Sequence, residues 1–204
     1  MPLIIVATTN PGKLHEYTDL FSVVPDARVI SPADLEIWVE VAETGNTLAE
    51  NALLKAHAIR DELHARPEAG HAWILGDDSG LEVDALGGEP GINSNRWAGP
   101  GTTAADRNRL LLERMASVPD EERTARFRCV IALISPAGVE HILDGAVEGS
   151  IAYEPQGTVG FGYDPIFTLD NGKRMSELTL DEKNIISHRG VAGLKAAAIV
   201  AGSH

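Results

Sequence analysis

The sequence predicts an α/β fold, and three observations lead to that prediction. Apolar, β-branched runs of strand length alternate along the chain with stretches whose apolar residues recur at helical spacing. Two long strand patterns, 126–134 and 139–150, are separated only by the turn "SPAG", which predicts a hairpin. Because a hairpin is antiparallel, the sheet cannot be purely parallel, and we expect a long mixed β-sheet covered by helices.

The first third of the chain is predicted to form two strands and two helices. The run "LIIVAT" at 3–8 is apolar throughout, as expected of a buried strand, and the turn "NPGK" then opens a helix. A second strand is expected at 27–31. Thr47 and Glu50 form a capping-box pattern that opens the next helix, whose apolar stripe continues toward position 65.

The centre of the chain contains the motif "DDSG" between two apolar runs. "AWIL" at 72–75 and "LEVDAL" at 81–86 are predicted as separate strands, with "DDSG" as the turn that joins them. A helix carrying Leu110, Leu111 and Met115 is expected over 103–116. The two aspartates of the motif are therefore expected where a strand ends.

The last quarter of the chain contains a glycine-rich loop and two helices. "QGTVGFGYDP" is predicted as the loop, Thr179 and Glu182 as a second capping box that opens a short helix, and 190–200 as the last helix. No linker or repeat interrupts the 204 residues. We therefore expect one domain over 1–204, with the final "GSH" interpreted as a tag remnant.

Composition and charge exclude several classes of function. No apolar run approaches the roughly 18 residues of a membrane span, and no basic segment precedes the apolar run at 3–7, so a cytoplasmic protein is expected. The net charge of −13 argues against binding a nucleic acid backbone, which needs clustered Lys and Arg. The single Cys129 excludes an internal disulfide, and its apolar surroundings predict a buried structural residue.

A phosphate-binding turn is the first candidate for chemistry. The segment "ATTNPGK" at 7–13 leads from a strand into a helix, whose first N–H groups and dipole favour an anion. Thr8, Thr9 and Asn10 add side-chain hydrogen bonds, and Lys13 adds a positive charge. The spacing is not that of a Walker A motif, and the alternative is an ordinary strand–turn–helix junction capped by Asn10.

Three acidic residues are candidates for a metal site. Glu43 stands just before the second helix, and Asp77 and Asp78 stand together in "DDSG". Mg²⁺ takes one or two carboxylates together with waters and phosphate oxygens, and its charge would offset the repulsion between adjacent aspartates. One aspartate is also a candidate general base. The alternative is an exposed acidic turn whose carboxylates bond to nearby backbone N–H groups.

Base-binding residues are expected in the loop "GFGYDP" at 160–165. A purine can stack on Phe161, Tyr163 can wall the same pocket, and Asp164 can accept a hydrogen bond from a ring N–H. The alternative is a glycine-rich turn whose aromatic side chains enter the core.

Three cationic or titratable residues and one further lysine complete the candidates. In "KNIISHRG", Arg189 can donate to the keto oxygen of a base, and Lys183 can contact a phosphate or the base. The pair His188 and Arg189 could equally be a surface feature or a helix C-cap. Lys55 follows Asn51 by four residues and shares its predicted helix face, from which it can reach a phosphate; an ordinary surface lysine is the alternative.

Five motifs of the chain resemble those of one known family. The motifs are "TTNPGK", "ETGNTLAENALLKA", "DDSGLEVDALGGEPG", "GFGYDPIF" and "LTLDEKNIISHRG". Their order and spacing resemble those of the motifs in the inosine triphosphate pyrophosphatases, and the resemblance extends from residue 4 to about 195. The resemblance implies two lobes around a central substrate cleft, a homodimer, and Mg²⁺-dependent hydrolysis of ITP, dITP and XTP to monophosphate and pyrophosphate. Such an enzyme removes deaminated purines from the nucleotide pool.

The resemblance also implies roles for individual residues. Glu43 and Asp78 would serve the metal, and Asp78 would be the proton acceptor. For Asp77, which the resemblance leaves without a role, we expect that it orients the site or adds a metal contact. The residues expected to bind the small-molecule substrate are Thr8, Thr9, Asn10, Pro11, Gly12, Lys13, Lys55, Ser79, Phe161, Gly162, Tyr163, Asp164, Lys183, His188 and Arg189.

Two positions depart from the family pattern, and three rival functions remain. Thr9 and Val159 stand where many relatives carry glycine, and we expect the change to affect substrate affinity rather than reaction type. The rivals are a Maf-like pyrophosphatase for other nucleotides, a nucleotide-binding regulator without catalysis, and an acid phosphatase that releases orthophosphate.

Overall fold

The structure, a computed structural model, describes residues 1–64, 71–157 and 159–203. Its strands are β1 (Leu3–Val6), β2 (Arg28–Ile30), β3 (Trp73–Val83), β4 (Thr124–Ile134), β5 (Glu140–Ile151) and β6 (Phe167–Thr168). Its helices are α1 (Pro11–Leu20), α2 (Leu48–His64), α3 (Ala104–Arg114), α4 (Leu180–Ile186) and α5 (His188–Ala201).

The six strands form one mixed sheet in the order β2-β1-β3-β4-β5-β6. β1 pairs in parallel with β2 and with β3, whereas β5 pairs antiparallel with β6. β4 and β5 are neighbours joined by a short turn in which the Ser135 N–H donates to the Val139 carbonyl at 2.9 Å. The predicted mixed α/β sheet is therefore confirmed.

The chain divides into two compact units. The first unit consists of Met1–Asp78, Cys129–Gly145 and Arg189–His204, and the second of Ser79–Arg128 and Ala146–His188. The single domain over 1–204, its two lobes and the substrate cleft stay predictions.

The first unit buries both faces of β1. Ile4 and Val6 pack with α1 and α5, whereas Ile5, which points the other way, packs with α2. Side chains alternate along a strand, so a strand that is apolar throughout needs helices on both sides. This is why the run at 3–8 gives no period-two pattern in the sequence.

The second unit has an apolar cluster of its own. Leu81 and Val83 of β3 pack with Leu111 of α3 and with an aromatic pair, Phe127 and Phe167. The two phenyl rings are 4.6 Å apart at their centroids and tilted by 45°, an arrangement that aromatic pairs favour.

The prediction of two strands joined by a "DDSG" turn is wrong, because β3 runs unbroken from Trp73 to Val83. Two glycines of β3, one of them in "DDSG", are needed for close packing. A Cβ at Gly76 would collide with the Ala52 carbonyl oxygen of α2, and one at Gly80 with the Gly91 carbonyl oxygen. Sequence alone does not distinguish a glycine that turns the chain from one that admits a neighbouring backbone.

The predicted helices are confirmed, with small changes at their ends. Thr103 and Thr179 cap α3 and α4, each in a capping box with the acidic residue three positions later. α5 begins at His188 rather than at 190, so His188 and Arg189 occupy its first turn. Position 65, toward which the second helix was predicted to extend, lies outside the described residues.

The cap of α2 differs in one partner from the prediction. The Thr47 hydroxyl accepts the Glu50 N–H at 3.1 Å, but the Glu50 carboxylate accepts from Asn46 rather than from Thr47. In the parts of the chain that the structure describes, no helix combines the length and hydropathy that crossing a membrane requires.

Candidate functional site

The two adjacent aspartates lie inside β3 and are both buried. Asp77 is 2% exposed and Asp78 is 4% exposed. Because neighbouring side chains on a strand point to opposite faces, Asp77 points toward α1 and α5, and Asp78 points toward α2. The exposed acidic turn proposed as an alternative is therefore excluded, and the mutual repulsion of the pair is reduced by their opposite directions.

Asp77 lies at the centre of a buried ion cluster. Its carboxylate accepts hydrogen bonds from Lys13 Nζ at 2.5 Å, from Tyr17 Oη at 2.6 Å and from Arg189 Nε at 2.8 Å. Arg189 Nη1 donates in turn to Glu16 Oε2 at 2.7 Å. Two cations thus share two buried carboxylates, and the charges of the four side chains cancel.

Electrostatics keep Asp77 ionised. Burial by itself raises the pKa of this carboxyl, but Arg189 and Lys13 outweigh burial and hold its pKa well below the usual range. Cys129 is fully buried, with its Sγ atom 3.8 Å from Asp77 Oδ2. Burial and the Asp77 charge raise the pKa of the Cys129 thiol to about 12, and the expected burial of this cysteine is confirmed.

On the other face of β3, Asp78 takes part in a cluster around Lys55. Lys55 Nζ lies 2.7 Å from Asp78 Oδ1, 2.6 Å from Glu43 Oε1 and 3.0 Å from the Asp77 carbonyl oxygen. We call these three oxygens the Lys55 cradle. The predicted metal residues Glu43 and Asp78 are therefore brought together, and Lys55 lies between them.

Asn51 braces this cluster from the same helix. Its Nδ2 donates to Asp78 Oδ2 at 3.2 Å, and its Oδ1 accepts the Gly45 N–H at 2.9 Å. One side chain of α2 therefore fixes both Asp78 and the loop that carries Glu43. The four-residue spacing of Asn51 and Lys55 predicted their shared helix face correctly.

Asp78 differs from Asp77 in its proton affinity. Burial raises the pKa of Asp78, Lys55 lowers it, and the nearby Glu43 raises it, with the result that the pKa lies above the ordinary value. A carboxylate with a raised pKa is a better proton acceptor.

The Lys55 cradle has the donor atoms that a hard cation prefers. It offers two carboxylate oxygens and one carbonyl oxygen, and Mg²⁺ needs only one or two carboxylates besides waters and phosphate oxygens. Within the described ranges no group of three or more His, Cys, Asp and Glu side chains is arranged to hold a metal. A magnesium ion held by the donor atoms of the Lys55 cradle would take its remaining ligands from water and phosphate oxygens.

The predicted phosphate-binding turn has the geometry of a capped helix start. Asn10 Oδ1 accepts the N–H groups of Gly12 at 2.8 Å and Lys13 at 3.3 Å, and Thr8 Oγ1 accepts the Asn10 N–H at 3.1 Å. The Asn10 cap anticipated by the alternative interpretation is present, and the Lys13 ammonium contacts Asp77. Pro11 and Thr9 are exposed at this turn, and Thr9 does not have a positive φ, so it fits without backbone strain.

In the second unit, the loop at 160–165 is tied to α4. Asp164 Oδ2 accepts the Phe161 N–H at 2.9 Å and a hydrogen bond from Lys183 Nζ at 2.8 Å. Lys183 and Asp164 are both 4% exposed at their side chains, and the Lys183 ammonium lies 4.8 Å from the centroid of the Phe161 ring. This contact is a cation–π interaction that fixes one face of the phenyl group.

A pocket of about 730 Å³ lies between this loop and α3. Its walls are mostly apolar and include Phe161, Gly162 and Pro165 from the loop and Asn108 and Leu112 from α3. Asn108 Nδ2 donates to the Gly162 carbonyl at 3.2 Å, so α3 fixes the position of the loop. The volume and lining are those of a site for a small organic ligand.

The other predicted base-binding residues occupy different surroundings. Tyr163 is buried in the core of the second unit, and its hydroxyl donates to the Ser94 carbonyl at 2.9 Å, as the alternative interpretation expected. His188 is buried and stacks on Phe127 at a centroid distance of 4.8 Å.

Ser79 is half-buried in β3, and Val159 is exposed without a positive φ. The surface location considered for His188 and Arg189 is excluded, since both are buried.

Three residues of these clusters were not found from the sequence. Glu16 and Tyr17 follow Lys13 by three and four positions on α1, a spacing that places them on its helix face and could have revealed them. Asn108 is a buried polar residue three positions before Leu111 on the apolar face of α3, and this break in the stripe was the available signal.

Comparisons with known proteins agree with the fold and with the family resemblance. A family model described as the Ham1 family matches residues 4–199. A dITP/XTP pyrophosphatase of Symbiobacterium thermophilum is 47% identical over 197 residues, which cover 93% of this chain and 90% of the relative. The dITP/XTP pyrophosphatase of Bacillus subtilis is 43% identical over 189 residues, covering 92% and 91%. The solved structure of a HAM1 protein from Coxiella burnetii superposes with a TM-score of 0.83 at 37% identity and covers 100% of both chains.

Proposed function

The chain belongs to the Ham1 family, and from this premise we propose that it hydrolyses dITP, ITP and XTP to the nucleoside monophosphate and pyrophosphate. The chain is a hydrolase acting on phosphorus anhydrides, and the resemblance found in its motifs is confirmed over residues 4–199. Its expected cellular consequence is the removal of deaminated purines from the nucleotide pool.

The observation that carries the proposed mechanism is the setting of Asp78. This carboxylate is buried, and its Oδ1 atom lies 2.7 Å from Lys55 Nζ, which also lies 2.6 Å from Glu43 Oε1. In the proposed reaction, Asp78 accepts a proton from the water that attacks the α-phosphorus, and pyrophosphate leaves. Asn51 keeps the Asp78 carboxylate in place through its 3.2 Å hydrogen bond.

Glu43 and Asp78 are the residues proposed to hold Mg²⁺, with the Asp77 carbonyl oxygen as a third candidate ligand. A bound Mg²⁺ would supply charge stabilisation to the phosphate oxygens. Asp77 itself is assigned a different task. Its carboxylate holds Lys13 and Arg189, so it orients the cations of the first unit.

The phosphates are assigned to the turn at 8–13 and to Lys55. Thr8, Thr9 and the start of α1 offer hydroxyl groups and a positive dipole end, which suit an anion. Lys13 and Lys55 add charge, and both have carboxylate partners that substrate phosphates would have to replace or share.

The base is assigned to residues of the second unit. Phe161 is the proposed stacking partner, with Lys183 and Asp164 fixing its ring and backbone. Hypoxanthine and xanthine carry a 6-keto acceptor where adenine carries an amino donor. A hydrogen-bond donor from His188 would be left unpaired by adenine, which costs several kcal/mol in a buried site.

Product identity tests the proposal. The protein is incubated with ITP, XTP and ATP, with and without Mg²⁺, and the monophosphate, diphosphate, pyrophosphate and orthophosphate are resolved. We expect IMP with pyrophosphate, dependent on metal and much faster than the reaction with ATP. IDP with orthophosphate would identify a phosphatase instead, faster turnover of dUTP or TTP a Maf-like enzyme, and nucleotide binding without any turnover a regulator.

The homodimer and the cytoplasmic location remain part of this proposal. Both come from the resemblance and from composition. Sedimentation at micromolar protein concentration tests the homodimer. A species of twice the 21.7 kDa chain mass is expected, and a monomer would contradict the homodimer.

A further inference from the structure

The Lys55 ammonium group fills the position that a hard cation would need. Three oxygens surround Lys55 Nζ at 2.6 to 3.0 Å, and they come from Glu43, Asp78 and the backbone of Asp77. An ammonium has three N–H donors, and here each of the three oxygens accepts one. The Lys55 cradle is thus saturated by a residue of the chain itself.

The ammonium and a metal ion cannot share the Lys55 cradle. Both are cations that require the same carboxylate oxygens, and two positive charges at that distance repel. Lys55 carries its charge on a flexible four-carbon stem, and its side chain retains 14% exposure, so it can withdraw without a change of backbone. Asn51 holds Asp78 and the Glu43 loop independently of Lys55, so the cradle can persist after the ammonium leaves.

We propose that Lys55 is a resident counter-ion that keeps the Glu43–Asp78 pair assembled until a divalent cation displaces it. This inference rests on the proposed metal-dependent function and adds to it an exchange of cations at one site. The displaced ammonium is then available to an anionic phosphate oxygen. Lys55 is therefore a competitor of the metal before substrate binds and a partner of the substrate afterwards.

Metal affinity without nucleotide tests the exchange. Mn²⁺ replaces Mg²⁺ as the probe, and free Mn²⁺ is counted by electron paramagnetic resonance in titrations of the wild-type protein and of Lys55→Met. Because the variant removes the competing charge, we expect it to bind Mn²⁺ about tenfold more tightly, within the usual range of coupling between two sites. Equal or weaker binding would overturn the proposal.

Lys195→Met is the matched control. It makes the same change of charge in the first unit, but Lys195 is half exposed and contacts only Asp144 among the ion pairs of the described residues. We expect its Mn²⁺ affinity to stay within about twofold of wild type, as for a screened surface charge. If both variants bind Mn²⁺ equally more tightly, net charge rather than exchange explains the effect, and the proposal fails.

A second measurement uses the wild-type protein and does not depend on the variant folding. The ¹⁵N–¹H resonance of the Lys55 ammonium, assigned through its side-chain carbons, is followed during a titration with Mg²⁺. We expect a slowly exchanging signal that is lost to solvent exchange as Mg²⁺ saturates the protein. A resonance that persists unchanged at saturating Mg²⁺ would contradict displacement.

The outcomes separate this inference from the proposed activity. If Lys55→Met binds Mn²⁺ more tightly but the wild-type protein yields no IMP and pyrophosphate from ITP, the cation exchange is supported and the proposed activity is refuted. If the wild-type protein hydrolyses ITP as proposed but the two Mn²⁺ affinities are equal, the activity is supported and the exchange is refuted. If Mn²⁺ binds to none of the proteins, the exchange is overturned together with the proposed metal site.

Discussion

Asp77 and Asp78 are neighbours in sequence and equally buried, yet they occupy opposite electrostatic environments. On one face of β3, Asp77 is surrounded by Lys13, Tyr17 and Arg189, and its pKa is held well below the usual range despite burial. On the other face, Asp78 has Lys55 as its partner, shares that partner with Glu43, and has a raised pKa.

The difference indicates how a pair of identical residues can divide two tasks. A carboxylate with a lowered pKa is a permanent anion, suited to holding cations in place. A carboxylate with a raised pKa takes up a proton more readily, which general base catalysis needs. In the proposed mechanism, the alternation of the strand would let one "DD" motif supply both without placing the two charges side by side.

The largest expected effect comes from removing the charge of Asp77. Asp77→Asn keeps the shape of the side chain but leaves Lys13 and Arg189 buried with Glu16 as their remaining charged partner. Breaking a buried ion pair in this way costs about 3–5 kcal/mol of unfolding free energy. Urea denaturation at neutral pH measures the loss.

Asp144→Asn is the control for Asp77→Asn. Asp144 forms an exposed pair with Lys195 at 3.7 Å, and such pairs contribute about 0–1 kcal/mol. If the two variants were equally stable, the ion cluster around Asp77 would not stabilise the fold. The claim that Asp77 holds its cations in place would then fail.

The next largest effect concerns turnover rather than stability. Asp78→Asn removes the proposed proton acceptor while the Asn51 brace and Glu43 remain, so we expect kcat for ITP to fall at least about a hundredfold. The measurement is the rate of pyrophosphate release at saturating ITP and Mg²⁺. Asp144→Asn serves again as the control and should keep its full rate.

Asp77→Asn and Asp78→Asn are expected to differ in which property they lose, unfolding free energy or turnover. Asp78→Asn is expected to lose less unfolding free energy than Asp77→Asn, because the carboxylate with the raised pKa has the weaker net electrostatic stabilisation. Near-normal turnover of Asp78→Asn would assign the base to another residue, with Glu43 as the first candidate.

The elements of the fold could be predicted from the sequence where the signal was local. Thr179 announces its helix through a capping box with Glu182, and the spacing of Asn51 and Lys55 identifies their common face. β3 could not be predicted as one strand. Glycine is required at positions 76 and 80 because a side chain there would collide with the carbonyl oxygens of Ala52 and Gly91. Those contacts exist only after the chain has folded.

The candidate site, like the fold, could be predicted only where the signal in the sequence was local. The motifs identified Glu43, Asp78 and Lys55, and the structure brings these three together. The partnership of Arg189 with Glu16 was not predictable, since the two residues are 173 positions apart and only the packing of α1 with α5 joins them. A pairwise contact at such a separation leaves no periodic trace in one sequence.

A smaller effect follows from the lowered pKa of Asp77. A group whose pKa is lower in the folded than in the unfolded chain contributes stability that is complete above the unfolded value, here near 3.8, and is lost as pH falls toward the folded value. The difference in unfolding free energy between wild type and Asp77→Asn should therefore be constant from pH 7 to about 5 and shrink below about 4. Urea midpoints at each pH give the curve, and a gap that widens in acid would contradict the assigned direction.

The smallest effect isolates a single hydrogen bond of the Asp77 cluster. Tyr17→Phe keeps the fully buried ring but removes the hydroxyl that donates to Asp77 Oδ2 at 2.6 Å. Because Lys13 and Arg189 still pair with the carboxylate, the loss should be about 1.5 kcal/mol, the lower end for a hydrogen bond to a charged group. Pyrophosphate release should stay near the wild-type rate, since Tyr17 bonds to Asp77 on the face of β3 opposite to the Asp78 cluster. A large fall in kcat with little change in stability would show that the two faces of β3 act together in turnover, and the division of tasks between the aspartates would have to be abandoned.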